Sequence, residues 1–495
     1  MNAAWAIAAA LMTPPAATAG ILLARRLPNV REAVSLGAAA LLFAQIAALV
    51  PQVAAGGRPE LAVLELLPGL VLGFRIEPLG LAFALVASFL WLVTVVYSIG
   101  YMRAHGERHQ TRFYAFFSIA IAAVIGSAFA ADLLTLYVFY EALTLATYPL
   151  VTHGGAEKDR AGGRVYLTVL LGTSLTFLLL ALAWTYSLAG TLSFADGGVF
   201  LAGDGLVAGM TPGLMIVLYA LFLLGTGKAA LVPFHFWLPA AMVAPTPVSA
   251  LLHAVAVVKL GVFTILKLTV YTFGIGALTQ FDATALMQYL AAATLLIGAV
   301  LALRESNLKR RLAYSTVSQL GYIVLAATLA NSVALLAGGL HILTHAFAKI
   351  TLFFCAGVLL VSLRKTTVEE LRGVGRVMPF TLAAWLVASL CVIGLPLTGG
   401  FWSKWYLAHG ALEAGEPVLM AVVLLGSLLA MAYLLPPAIH AFFAAAPEPD
   451  AQAPRVARVA APRASLVAIG VTTAVSVLLF FAVQPILRLL EGFAR

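Results

Sequence analysis

Residues 221–263 read LFLLGTGKAALVPFHFWLPAAMVAPTPVSALLHAVAVVKLGVF. Two long apolar runs lie here, and each holds a lysine, Lys228 and Lys259. Between them stand Gly225, Gly227, Pro233 and Pro239, residues that interrupt helical hydrogen bonding and leave backbone polar groups free. In lipid such a break is tolerated only where it is buried in protein or lines a water-filled cavity. A charge at bilayer depth costs roughly 3 kcal/mol or more, so it marks a polar pathway. The stretch predicts a broken membrane helix followed by a second helix, with titratable groups between.

The same pattern recurs downstream in VIGLPLTGGFWSKWYL, residues 392–407, where Pro396, Gly399 and Gly400 precede Lys404. Lys349 and Glu141 lie in two further apolar runs. The chain has 495 residues, 62% of them hydrophobic and 10% charged. Soluble proteins carry about 25% charged residues, so the composition is that of a polytopic membrane protein. Apolar runs near 3–23, 32–51, 78–101, 113–131, 133–152, 165–189, 213–232, 247–272, 284–303, 312–330, 333–362, 378–398 (continuing to about 413 after a break), 417–446 and 464–488 give fourteen spans. The expected fold is all-α, in one integral membrane domain. Within it, residues 1–112 hold spans 1–3, 113–272 a first repeat, 284–446 a second and 464–488 the last span.

The charges test this topology. Loops after spans 1, 3, 5, 9, 11 and 13 carry twenty of the 29 Lys and Arg. Arg58, Arg75, Lys267, Arg488 and Arg495 fall on the other face, and the four intramembrane lysines complete the count. This asymmetry puts the basic loops in the cytoplasm and both termini outside, in a plasma or inner membrane of bacterial type. It also accounts for the net charge of +9, so a nucleic-acid partner is not implied. The segment EPDAQAPRVARVAAPRAS, 448–465, reads as a flexible cytoplasmic linker. The two cysteines, Cys355 and Cys391, lack metal-ligand spacing and read as core thiols. No metal site, cofactor loop or nucleophile–base pair is present in the sequence, so no catalytic centre is expected in this chain.

Span 4 starts 171 residues before span 9 (284 − 113), and Lys228 lies 176 before Lys404 (404 − 228). Spans 4–8 and 9–13 therefore read as two five-helix repeats, and the odd helix number inverts the second copy. Paired interrupted spans at matching positions point to a transport site.

Glu141 and Lys228 read as carboxylate and ammonium on neighbouring helices. Moving one toward or away from the other would load or release a proton. A purely structural ion pair, or a lysine snorkelling to the interface, is the bland alternative. Lys259 lies too deep to snorkel. His253, six residues earlier, is about 240° around the helix from it and reads as a relay or a satisfied core histidine. His341, His345 and Lys349 are spaced i, i+4 and i+8 on one stripe of span 11, which must face a partner or water. Ser315, Ser318, Gln319 and Tyr322 of span 10 could supply the partners. The stripe reads as a relay, or as a ladder that only joins helices. Lys404 reads as the terminal proton site, Asp132 as an interfacial cap, and His235 as relay or loop.

FYEALTLATYPLV (139–151), GTGKAALVPFHFWLPAAMVAPTPVSALLHAVAVVKLGVF (225–263), RRLAYSTVSQLGYI (310–323), HILTHAFAKITLFFCAG (341–357) and GLPLTGGFWSKWYL (394–407) together resemble a known family. It is that of the antiporter-like subunits shared by Mrp-type cation/proton antiporters, respiratory complex I and membrane-bound hydrogenases. The wording is most similar to the D-type member of the Mrp antiporters. The resemblance implies a proton-translocating axis of Glu141, Lys228, Lys259 and Lys404, with His253, His345 and Lys349 as relays. It also implies partner membrane subunits, H⁺ and Na⁺ as transported ions, contact with lipid and no bound cofactor. A redox-driven proton pump of complex I or hydrogenase type is the alternative. A scaffold whose buried charges only hold partner subunits is a third reading.

Overall fold

Proline occupies the first turn of six membrane helices, through Pro28, Pro78, Pro212, Pro247, Pro379 and Pro417. There its missing N–H has no helical partner to lose and its φ is already helical. Other starts are capped by side chains. Asp132 accepts from the Thr135 amide at 2.7 Å, Asn307 from the Arg310 amide at 3.2 Å and Asn331 from the Ala334 amide at 2.8 Å. Asp132 is thus the interfacial cap that the sequence suggested.

The computed structural model describes residues 3–67, 70–203, 205–445 and 460–493. The linker expected at 448–465 lies outside the described residues up to 459. Among the described residues eleven helices are long and apolar enough to cross a membrane; with Leu308–Thr328 and the two broken helices they make fourteen segments. They are α1 (Ala3–Leu23), α2 (Pro28–Ala47), α3 (Pro78–His105), α4 (Gln110–Ala128), α5 (Leu133–Val151), α6 (Glu157–Ala189) and the two-part α7 (Pro212–Gly225 and Phe234–Val243). Then follow α8 (Thr246–Phe273), α9 (Ala285–Arg304), α10 (Leu308–Thr328), α11 (Ser332–Leu363), the two-part α12 (Pro379–Ile393 and Gly400–Glu413), α13 (Pro417–Phe443) and α14 (Arg463–Phe481). The protein is therefore a multi-pass, all-α membrane protein with helices seven and twelve broken.

Two departures from the expected pattern stand out. The residues between α2 and α3 form an antiparallel hairpin, β1 (Glu60–Leu67) with β2 (Leu70–Arg75), in the register Glu60↔Arg75. The last span stops at Phe481, and a short α15 (Val483–Glu491) follows.

Burial sorts the helices into a core and a sheath. The most apolar window of α8 is wholly buried and that of α11 is 89% buried, against 28% for α2 and α14. A helix apolar all round belongs in the centre of a bundle, and one with an apolar outer face belongs against lipid. α11 packs on α3, α8, α10, α12 and α14. Against α3, Tyr97 stacks on Phe354 at 3.8 Å with the rings 7° apart. The Tyr97 hydroxyl donates to the Phe354 carbonyl at 3.0 Å.

Close approach at glycine holds α8 to the break in α7. A Cβ on Gly261 would stand 2.4 Å from the Ala229 nitrogen and 2.5 Å from the Lys228 carbonyl carbon. The break in α12 is equally tight. A Cβ on Gly400 would lie 1.8 Å from the Cys391 carbonyl oxygen, and Gly394 has φ +91°.

Candidate functional site

Where the first part of α7 ends, the chain leaves helical geometry and turns through Gly227–Ala229, with Ala230 left-handed at φ 51°. The freed backbone is satisfied by side chains. Trp237 Nε1 donates to the Gly227 carbonyl at 3.0 Å, and Thr294 Oγ1 accepts from the Val232 amide at 3.1 Å. This turn aims Lys228 at α5. Its Nζ donates to the Tyr140 carbonyl at 2.9 Å and to Thr144 Oγ1 at 2.6 Å, and sits 3.1 Å from the centroid of the Tyr140 ring. The Lys228 amide donates to the Tyr140 hydroxyl at 3.2 Å.

Glu141, next to Tyr140, makes no direct ion pair with Lys228. Both its carboxylate oxygens are buried and lack a hydrogen-bond partner among the described residues. The carboxylate–ammonium contact expected from the sequence is therefore replaced by carbonyl, hydroxyl and ring contacts. Tyr140 and Thr144 carry no charge, and nothing in the sequence signals their part in it.

In α8 a π-helical turn at Leu251–Val255, followed by Ala256 at φ −109°, ψ −80°, rotates the helix after His253. Lys259 then meets α11, its Nζ in hydrogen-bond contact with His345 Nδ1. His253 leans on Phe353, ring centroids 4.8 Å apart, and neither of its ring nitrogens has a partner among the described residues.

The stripe on α11 is continuous. The His341 and His345 rings lie 5.6 Å apart and 5° from parallel. His341 Nδ1 is 2.8 Å from Ser403 Oγ on α12, one residue before Lys404. Lys349 donates to Ser315 Oγ at 2.7 Å, and that hydroxyl donates to the Tyr433 hydroxyl at 3.1 Å. Lys404 donates to the Ile393 carbonyl at 3.1 Å and to Ser427 Oγ at 3.0 Å, and lies 4.3 Å over the Tyr322 ring. It ends at a cavity of about 560 Å³ between α12 and α13, apolar apart from Lys404, His409 and Ser427. The four lysines of the row are all buried, Lys404 the least at 6% exposed. The structure thus sets Lys259 on His345, stacks His345 on His341 and sets His341 on Ser403, which precedes Lys404 in the chain. Among the described residues no hydrogen bond joins the two histidines or links Ser403 to Lys404, and Lys349 bonds apart from them, to Ser315. Lys228 is not hydrogen-bonded to any of this series among the described residues; its turn packs its backbone against Gly261, two residues beyond Lys259, while its ammonium points to α5. His235 stays in a half-buried turn, Phe234–Phe236, outside the line.

A second buried charge group was not anticipated. Lys267, counted in the sequence among loop charges, is fully buried on α8. Its Nζ lies 3.1 Å from Glu77 Oε2, donates to the Ala130 carbonyl at 2.6 Å and stands 4.5 Å over the Phe194 ring. Arg75 holds the other Glu77 oxygen at 3.1 Å. The signal was present, because Lys267 stands eight residues beyond Lys259 in the same apolar run.

A membrane bundle with two interrupted helices and a buried line of lysines and histidines between them defines an antiporter-like membrane subunit. The chain belongs to the family described as the membrane part of NADH:quinone oxidoreductase and the Mrp antiporter, whose model matches residues 130–430. Residues 69–114 match the model for the N-terminus of complex I chain 5. The chain is 36% identical over 389 residues to NADH-quinone oxidoreductase subunit N of Desulforudis audaxviator, covering 77% of this chain and 74% of that one. It is 34% identical to subunit L of Mycobacterium tuberculosis, covering 75% of this chain and 56% of that longer relative. Its fold matches a chain of the Mrp complex from Dietzia sp. DQ12-45-1b at TM-score 0.81 and 23% identity, covering 98% and 96% of the two chains. It also matches a chain of an archaeal membrane-bound sulfane sulfur reductase at TM-score 0.82 and 21% identity, again covering 98% and 96%.

Proposed function

We propose that this chain moves protons through a multisubunit membrane complex that exchanges a monovalent cation, Na⁺, for H⁺. The observation that carries this reading is the buried series Lys259, His345, His341 and Ser403–Lys404, hydrogen-bonded from Lys259 to His345 and from His341 to Ser403 and stacked between the two rings. Each member can hold or pass a proton, and each is buried where an idle ionisable group would be expensive. Two nitrogens in hydrogen-bond contact need one proton between them. An ammonium donates to a neutral imidazole, or a neutral amine accepts from the imidazole N–H.

Glu141 is the control element in this scheme. Its carboxylate has no fixed partner, and charging or displacing it changes the field at Lys228 one helix away. In our reading that change sends a proton from Lys228 toward Lys259 and on to Lys404. His253, Ser318 and Gln319, with polar atoms that lack protein partners, line the hydrated approach. Other membrane subunits complete the complex and supply the cation path. The basic loops face the cytoplasm and the termini the outside.

Relatives named as quinone oxidoreductase subunits support a second reading, in which a redox partner drives the same proton line. One experiment separates the two. Inverted vesicles carrying the whole complex are monitored with a pH-sensitive dye, first after Na⁺ and then after NADH or another reductant. A Na⁺-triggered signal that Lys228→Ala abolishes supports antiport. A signal only with reductant moves the chain to the redox class. Equal signals in wild type and variant would reduce the buried row to scaffold.

A further inference from the structure

The ends of α1 to α4 that carry the first two arginine-rich loops enclose a cavity of about 660 Å³ which the proton line does not use. Five arginines line it: Arg25 and Arg26 after α1, Arg31 in the first turn of α2, Arg103 in the last turn of α3 and Arg112 at the start of α4. Two carboxylates, Glu32 and Glu107, oppose them, which leaves three positive charges in excess (5 − 2). The pairing inside is specific. Glu32 is held by Arg103 and lies 3.8 Å from Arg31 Nη2. Arg112 donates to the His153 carbonyl at 2.6 Å. Arg25 and Arg26 are exposed and have no carboxylate within ion-pair reach among the described residues.

Arg31 shows that this is a built pocket and not a loose patch. It is 5% exposed, with Nη1 on Thr111 Oγ1 at 3.0 Å and Nη2 on Gln110 Oε1 at 2.8 Å. Its guanidinium carbon lies 5.3 Å from the Tyr114 ring centroid. Its Nε is buried with no partner among the described residues. A guanidinium fixed in this way holds a permanent positive charge in the wall of the cavity. Next to Arg25, Arg26 and Arg31 in the chain, Leu22, Leu23, Leu27 and Val30 stand 47–87% exposed.

We propose that this cavity binds the phosphate of an anionic membrane phospholipid, with its acyl chains along Leu22 and Leu23 of α1. The cavity lies where apolar helices end, at the depth of headgroups, and basic pockets between helix ends take such headgroups. A soluble oxyanion would explain the arginines but not the exposed leucines that flank them in the chain.

The test is native mass spectrometry of the full chain in detergent, titrated with phosphatidylglycerol or with phosphatidylcholine of the same acyl chains. The Arg25→Gln/Arg26→Gln double variant removes only exposed, unpaired charges. We expect wild type to hold one more phosphatidylglycerol than the variant, an affinity difference of about tenfold or more at low salt, and no difference for phosphatidylcholine. Retention in the presence of millimolar inorganic phosphate supports a lipid occupant, and displacement by phosphate overturns it. Repeating the comparison on the whole complex completes the test. Equal lipid content there in wild type and variant would mean that a neighbouring subunit covers the cavity, which also overturns the proposal.

Discussion

Lys259 and His345 meet nitrogen to nitrogen at the centre of the bundle, across two of its most buried helices. In that contact neither group can change its proton without the other responding. Lys259→Ala and His345→Ala should each bring proton transport in vesicles near background while the complex still assembles. The double variant should be no worse than either single one, because both belong to one unit. Additive losses would show that the two act separately.

Lys404 keeps two acceptors, and only one is a side chain. Ser427→Ala leaves the bond to the Ile393 carbonyl, so it should slow transport, whereas Lys404→Ala should stop it. The same vesicle assay reads both. A silent Lys404→Ala would remove this residue from the proton line.

Gly261 touches the turn that carries Lys228. Gly261→Ala places a methyl against backbone atoms that cannot swing aside, and overpacking of this kind costs about 1–3 kcal/mol. A lower Tm in detergent and reduced transport should appear together. Gly172, with open space around its Cβ position, provides the control, since Gly172→Ala should leave both unchanged.

Glu77 and Lys267 form a buried pair. Lys267→Met should destabilise the protein by about 3–5 kcal/mol, because one carboxylate is left without its lysine. Arg75 still holds one oxygen, which favours the lower end of that range. Adding Glu77→Gln should recover part of the loss in thermal unfolding. A Lys267→Met protein as stable as wild type would contradict a stabilising pair.

His153 lies just past α5, outside the membrane segments. Burial, and then the Arg112 guanidinium beside it, lower its pKa below the ordinary histidine value. Its Nε2 lies 3.0 Å from the Arg108 carbonyl, a bond the neutral ring makes as donor. A base with a depressed folded-state pKa binds its proton more readily when unfolded. The stability it gives is complete above about pH 6.5 and falls as pH drops below that value. Tm measured from pH 7.5 to 5.5 should decline more in wild type than in His153→Gln. Parallel curves would assign the acid sensitivity elsewhere.

Most span limits were legible because lipid imposes length and composition on a helix directly. Gly399–Gly400 and Pro233 mark breaks, each for a local reason. The stripe His341, His345 and Lys349 followed from helical spacing alone. Contacts between helices did not follow. The π-turn at Leu251–Val255 sets which way Lys259 points, and no periodicity announces it. The partners of Lys228 proved to be a carbonyl, a hydroxyl and a ring on α5, where only the charge on Glu141 drew notice. Lys267 was misplaced because a charge near a span end reads as loop until its partner, 190 residues earlier (267 − 77), is known. The β1–β2 hairpin escaped because an apolar stretch of that length fits several structures.

The total burial of α8 has a consequence for how the chain is made. Lys267 emerges from the ribosome when Glu77 and Ala130 are already in place, so its charge can be matched on entry. Lys259 leaves only eight residues earlier, yet its partner His345 is 86 residues downstream. At about 5–20 residues per second, that delay lasts about 4–17 s, during which α8 must stay beside the insertion machinery or among earlier helices. Slowing or hastening synthesis between residues 259 and 345 should therefore change how much correctly inserted protein a cell accumulates.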